Sequence, residues 1–402
     1  MNRLVWIACC FYLLIGFTSV ISAALLPELL MHYGRSYGDG GNLVFAQFTG
    51  FLLGVLTQPW WSRRFGRSRM LSFTLLFICI GYLVISFLPS WPVVMISLGL
   101  VGLGSGMIES TVGALIIDTI VEKTAVAMSR LEVFFGVGAL AMPMLISLLI
   151  VMDAWRITFY AVCLLAVILM LVWRSFCAGH SEWIDRKPSL ETSAAAASGS
   201  SRRTGSKARL AVLTVCIAVF ITYVGLEMSI VSFLPSIMVE TMKVDAAVGS
   251  LSVSFFWGTM VLGRLFCGVL AERYGYTRYL LWCSLGTAAV LIGFVLMKQL
   301  AGAFVMIMLL GLLMSGLFSI ALVFSNTLFP GQTEQTTSKL IAASGIGGAV
   351  FSWLTGRLME QASVTFTLWF LVTIAVVMVA AILLMSRLRP RTDRKPQESS
   401  FA

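Results

Sequence analysis

The most informative stretch for the fold is Gly263-Arg-Leu-Phe-Cys-Gly-Val-Leu-Ala-Glu-Arg-Tyr-Gly-Tyr-Thr-Arg278, because it concentrates charge between two apolar segments. It follows a long apolar run, carries Glu272, Arg273 and Arg278, and enters another apolar run at Tyr279. A chain that passes between two such runs through so few polar residues is expected to make a tight turn between two membrane-spanning helices.

A weaker copy of this turn lies upstream. Gly54 and Gly66 precede Gly263 and Gly275 by 209 residues in both cases. The upstream copy is rich in arginine, at Arg63, Arg64, Arg67 and Arg69. The first and seventh apolar runs also correspond, with Gly16 matching Gly225 and Pro27 matching Pro235. These repeats predict two related halves.

Composition places the chain in a bilayer. Of its 402 residues, 59% are hydrophobic and 11% are charged, and one soluble core could not bury so much apolar surface. The sequence therefore predicts an all-α membrane protein in which each spanning helix needs about 20 apolar residues. We expect twelve spans, near 4–30, 42–61, 71–88, 93–120, 130–151, 156–175, 210–238, 247–270, 279–297, 301–329, 338–357 and 365–386.

These spans predict four regions. Residues 1–176 and 210–386 are expected to form two six-helix bundles. Residues 177–209 are polar and of low complexity, which is typical of a flexible cytoplasmic linker. Residues 387–402 form a basic tail that we expect to lie against the anionic inner leaflet.

Lysine and arginine predict the orientation in the cell membrane. With the N-terminus inside, 23 of the 28 cations lie on the inner side, so both termini are expected to be cytoplasmic. The exceptions are Arg35, Arg156, Lys243, Lys298 and Arg357. The net charge of +10 then needs no nucleic-acid partner. The eight cysteines show no metal-ligand spacing, and no nucleotide loop or nucleophile-base motif predicts an enzyme or a cofactor. We expect a monomer.

The charged turn resembles that of the major facilitator superfamily of membrane transporters, which reads G-x-L-A-[DE]-R-x-G-x-x-[RK]. The matching residues are Gly268, Glu272, Arg273, Gly275 and Arg278. The upstream copy departs from the pattern at Pro59 and Arg63. The resemblance implies two pseudo-symmetric bundles, alternating access, and a central cavity lined by spans 1, 4, 7 and 10.

Two acids lie well inside predicted spans. Glu109 falls in span 4 and Glu227 in span 7. A carboxylate in hydrocarbon is costly unless it is protonated, paired or facing water, so both are candidates for a functional site. The alternative is a neutral glutamic acid that only bonds to a neighbouring helix.

Four patches resemble the fucose:proton symporter family. They are residues 223–235 in span 7, residues 102–111 in span 4, Gln47 with Gly50 and Gly54 in span 2, and residues 134–138 with Pro143 in span 5. The chain departs from that family at Ala23, where the family's first span carries an acid, and at Ser129 and Glu132, where an Asn and a His are usual.

The resemblance implies roles for the cavity residues. Glu109 would couple proton movement to the substrate, and Glu227 would accept hydrogen bonds from substrate hydroxyls. Further hydrogen bonds would come from Gln47, Tyr223, Ser232 and Asn326, and stacking faces from Trp257, Phe134 and Trp353. The alternative for each is packing between helices.

A gate is predicted at the charged turn. Glu272 would face the start of span 5, where an acid interacts favourably with a helix N-terminus, and would pair with Arg130 to close the inner side. The other gating candidates are Arg264, Gly268, Arg273 and Gly275.

Two functions remain open at this point. The first is proton-coupled uptake of a small polar solute such as a sugar, and the alternative is a proton-driven exporter of drugs or metabolites. Carboxylates with hydroxyl-bonding side chains favour a sugar. A large cavity lined by some of the 27 Phe and 21 Met would favour amphiphiles. A non-transporting sensor is a weaker third possibility, since the linker and tail are too short for a folded domain.

Overall fold

The computed structural model describes residues 2–119, 124–179, 206–329 and 333–387, and all the regular structure in these ranges is helical. The helices are α1 (Asn2–Ala24), α2 (Leu26–Tyr33), α3 (Tyr37–Phe65), α4 (Arg67–Ser86), α5 (Trp91–Thr119), α6 (Thr124–Val151), α7 (Ile157–Ala178), α8 (Ser206–Met242), α9 (Ala246–Tyr274), α10 (Tyr276–Leu296), α11 (Leu300–Met314), α12 (Leu317–Leu328), α13 (Thr333–Gln361) and α14 (Val364–Arg387).

These helices confirm the all-helical fold and account for the twelve predicted spans. The first span is α1 followed by α2, and the tenth is α11 followed by α12. Helix α1 ends at Ala24, close before Pro27, because proline has no backbone N–H to continue the hydrogen-bond ladder. The linker and the tail lie mostly outside the described residues, and their division from the bundles stays a prediction.

Among the described residues, eleven helical spans are long and apolar enough to cross a membrane. The predicted span 338–357 lies in α13, which carries more polar residues than the others. It packs on α8 within its own half and on α3 of the other half. Because protein covers two of its sides, α13 presents less surface to lipid and can carry more polar side chains.

The two charged turns are built alike. Gly66 joins α3 to α4 with φ +80°, and Gly275 joins α9 to α10 with φ +87°. A side chain would be strained at such positive φ values, so glycine allows each helix to reverse over a single residue. The repeat seen in the sequence is thus a repeat in the backbone.

Helices α1–α7 form one half of the molecule and α8–α14 form the other. In each half the first span packs on the fifth, as α1 packs on α6 and α8 packs on α13. Large apolar side chains point outward in both halves, among them Leu56, Ile96, Leu171, Val269 and Leu285. Such exposure suits helices whose outer faces contact lipid rather than water.

Candidate functional site

The two halves meet along two seams. One runs between α3 and α13, and the other between α6 and α9. We call the membrane side where α1 begins and α14 ends the termini side, which is the predicted cytoplasmic side. We call the opposite side, where α3 begins and α13 ends, the far side.

Hydrogen bonds join the halves on the far side. The Tyr37 hydroxyl in the first turn of α3 donates to Glu240 Oε1 near the end of α8, at 2.8 Å. The Trp353 indole N–H donates to Asn42 Oδ1 at 2.9 Å. These hydrogen bonds connect the two halves directly, which indicates that the far side is closed in this structure.

Two glycines let the backbones of α3 and α13 touch near these bonds. A Cβ at Gly41 would lie 2.8 Å from the Trp353 carbonyl oxygen, and a Cβ at Gly356 would lie 2.7 Å from the Gly41 Cα. Carbon atoms pack at about 3.5–4.0 Å, so neither position has room for a side chain. The closed far side therefore depends on glycine at both.

Serines connect the second seam. The Ser250 hydroxyl donates to the Pro143 carbonyl at 3.2 Å, and the Ser254 hydroxyl donates to the Leu140 carbonyl at 2.8 Å. Both bonds run from α9 to α6. They satisfy buried hydroxyls while holding the halves in register.

A charged cluster follows these serines toward the termini side. Arg264 of α9 pairs with Glu132 of α6, with Nη1 and Oε2 3.6 Å apart. Glu132 also interacts electrostatically with Glu109 of α5, and Glu227 of α8 interacts with both Arg264 and Glu132. The structure thus brings the two predicted membrane acids into one cluster with an arginine and a third carboxylate.

Tyr223 and Glu227 form the buried end of this cluster. Glu227 is 5% exposed. The Tyr223 hydroxyl donates to the Met314 carbonyl at 3.0 Å and is also in hydrogen-bonding contact with the Glu227 carboxyl. A phenol has one proton to give, so its oxygen can accept a second bond from a protonated Glu227.

The Gln47 side chain is hydrogen-bonded to α1 through both its oxygen and its nitrogen. Its Oε1 accepts from the Ser22 hydroxyl at 2.6 Å, and its Nε2 donates to the Thr18 carbonyl at 3.1 Å. These bonds join α3 to α1 within one half. A substrate would have to compete with them, so the packing role is the one that the structure shows.

The aromatic candidates are separated in space. Trp257 is 2% exposed, with the Arg264 guanidinium 5.7 Å from its ring centroid. Phe134 packs edge-to-face on Trp6. Trp353 belongs to the far-side seam. Of the remaining polar candidates, Ser232 is buried in α8 and Asn326 is half-buried in the last turn of α12.

Glu272 and Arg130, the predicted gate pair, lie toward the termini side. Glu272 and Arg130 are both exposed, and neither forms an ion pair within the part of the chain that the structure describes. Arg273 lies over the Tyr274 ring, and Gly268 has open space around it. A latch between Glu272 and Arg130 would thus belong to another state, in which the termini side is closed.

Sequence reasoning did not assign a role to Glu132 or to the far-side bonds. Glu132 stood out only as a departure from a related family. Arg264 carried a usable signal, because a cation inside a membrane span needs an acidic partner. No local pattern marks Tyr37 and Glu240, which are 203 residues apart.

Comparisons with known proteins agree with this architecture. The chain is similar to the glucose/mannose transporter GlcP of Bacillus subtilis (strain 168), with 29% identity over 92% of this chain and 91% of the relative. Its fold matches a D-xylose-proton symporter, with a TM-score of 0.75, 15% identity and coverage of 97% and 98% of the two chains. It also matches an auto-inhibited POT family peptide transporter, with a TM-score of 0.78, 13% identity and coverage of 98% and 99%.

The family assignment rests on the whole length of the chain. The sequence profile of the Major Facilitator Superfamily matches residues 8–245 and again residues 215–402. Together the two matches cover residues 8–402, and they overlap at residues 215–245. The chain therefore belongs to the Major Facilitator Superfamily of membrane transporters.

Proposed function

We propose that this transporter couples the uptake of a sugar to the movement of protons. Its polypeptide is a multi-span membrane transporter and not an enzyme, and the proposal concerns its substrate and its driving ion. The finer likeness to the fucose:proton symporter family stays a prediction.

The observation that carries the proposal is the cluster of Glu109, Glu132, Glu227 and Arg264. The cluster contains three carboxylates and one guanidinium, so it has an excess of two negative charges when all three acids are ionised. Uncompensated charge is costly on a buried carboxylate such as Glu227, which is 5% exposed, and proton binding there relieves it. Because the cluster draws on both halves, a change in its protonation can alter how the halves meet.

The proposal that the substrate is a sugar is supported by the chemistry of the cluster and by similarity to a known transporter. Carboxylates are hydrogen-bond acceptors, which suits a ligand rich in hydroxyl groups. The relative that is 29% identical over 92% of this chain is described as a glucose/mannose transporter. Glucose and mannose are therefore the substrates to test first.

Transport in proteoliposomes tests both parts of the proposal. The purified protein should exchange radiolabelled glucose or mannose across the membrane, and should accumulate it when the compartment outside is more acidic. A protonophore should abolish accumulation and leave exchange intact. Accumulation that survives the protonophore would contradict proton coupling. Failure to exchange either sugar, together with efflux of a cationic amphiphile, would favour the exporter.

We also propose that Glu272 and Arg130 latch the termini side when it closes. Both side chains are exposed, and neither has an ion-pair partner among the described residues, which leaves them available to each other. In that state the far side would be open, and the seam between α3 and α13 would have separated. Cytoplasmic termini and a monomeric transport unit complete the proposal.

A further inference from the structure

Arg264 of α9 connects the two halves through its ion pair with Glu132 of α6. It lies in α9 about 15 Å from the termini-side end of that helix, at a rise of 1.5 Å per residue. Its Nη1 is 3.6 Å from Glu132 Oε2 on α6, and its guanidinium lies over the Trp257 ring. The Trp257 ring limits the positions that the guanidinium can take.

The pair with Glu132 leaves the guanidinium incompletely satisfied. A separation of 3.6 Å is longer than a hydrogen bond. The Arg264 Nη1 atom is buried, and it has no hydrogen-bond partner among the described residues. A buried donor without an acceptor is unfavourable. Arg264 is therefore poised to accept a second acidic partner.

Glu227 is the acid that meets this requirement. It interacts electrostatically with Arg264 from within the same half, and it contacts the Tyr223 hydroxyl. When Glu227 carries a proton, Tyr223 can accept its hydrogen bond and Arg264 remains with Glu132. When Glu227 has lost its proton to water, its carboxylate needs a donor, and Arg264 is the adjacent cation.

The other titratable groups around the cluster do not replace Arg264 as that cation. Glu109 of α5 and Tyr12 of α1 interact with Glu132 or with each other, and neither is a cation. Tyr279 of α10 interacts with Tyr223. Arg130 lies two residues before Glu132 and is exposed.

We propose that Arg264 is a positioning residue that transmits the protonation state of Glu227 to Glu132 across the interface between the halves. With Glu227 protonated, Arg264 pairs with Glu132 and stabilises the arrangement seen here, in which the far side is closed. With Glu227 ionised, Arg264 pairs with Glu227, and the tie between α6 and α9 is lost. This inference rests on the proposed proton coupling, and it makes no assumption about the substrate.

A distance measurement without substrate tests it. Spin labels are attached at Met31 of α2 and Gln361 of α13, both exposed on the far side, in a chain whose eight native cysteines are replaced. Double electron–electron resonance then measures the distance between the two labels in proteoliposomes between pH 5 and pH 9. The wild type should gain a longer-distance population as the pH rises.

Three variants decide the outcome. Glu227→Gln should keep the short distance at every pH. Glu132→Gln should show the long-distance population at every pH, and the conservative Glu132→Asp should restore the pH response and show that the chain folds. A pH response in Glu227→Gln, or one in Glu132→Gln equal to that of the wild type, would overturn the proposal. Because no sugar is present, these results are independent of whether glucose or mannose is transported.

Discussion

Replacing Gly356 by alanine should open the far side. The added Cβ would lie 2.7 Å from the Gly41 Cα and 2.7 Å from the Tyr37 carbonyl oxygen, whereas carbon atoms pack at about 3.5–4.0 Å. Both neighbours are backbone atoms, so no side chain can rotate away. Helices α3 and α13 must therefore separate locally by roughly 1 Å.

The size of the shift in the equilibrium between the closed and open far side follows from the cost of overpacking. Forcing one extra methyl group into a packed interface costs about 1–3 kcal/mol. If α3 and α13 separate when the far side opens, this cost applies to the closed state alone. The equilibrium should then shift toward the open state by roughly 5- to 150-fold.

The assay is the far-side distance between labels at Met31 and Gln361, measured at one pH in the wild type and in Gly356→Ala. Gly345→Ala is the matched control, because it adds the same atom to the same helix, where Cβ would lie 3.7 Å from a Leu52 methyl group in ordinary contact. The control should keep the wild-type distances. Identical distance distributions in the two variants would refute the reasoning.

Three further outcomes are expected. Glu109→Gln keeps hydrogen bonding but cannot titrate, so it should lose proton-driven sugar accumulation in proteoliposomes and retain exchange; accumulation at the wild-type level would show that Glu109 has a structural role. Glu272→Gln should weaken closure of the termini side by about 0.3–2 kcal/mol, seen as faster labelling of a cysteine in the termini-side cavity; an unchanged rate would argue against the latch. A reporter fused after Gly40 should be external and one fused after Ser200 internal, and the reverse pattern would overturn the orientation.

The helical spans and the two charged turns could be predicted from the amino-acid sequence. Apolar length is a local property of the chain, so each run of about 20 residues reveals one span whatever it packs against. The turns at Gly66 and Gly275 were predictable for the same reason, since a charged break around a glycine needs no distant partner. The exception was the extent of α13, whose polar residues lower its mean hydropathy and are accommodated by contacts with α3 and α8.

The sequence also singled out Glu109 and Glu227, because an acid within an apolar run is conspicuous without any structure. The sequence did not predict which residues surround these two acids in the structure. Gln47 is hydrogen-bonded to α1, and Arg264 lies over the Trp257 ring. Both contacts depend on how each helix is rotated about its axis.

The residues that join the two halves could be identified only from the packing of the helices. Tyr37 meets Glu240, and Glu132 meets Arg264, although each pair comes from opposite halves of the chain. The periodicity of a helix reports which of its faces is apolar or polar, but not which distant helix that face will contact. That choice is made when the two bundles dock, and the same choice brings the carboxylates and the arginine of the candidate site together.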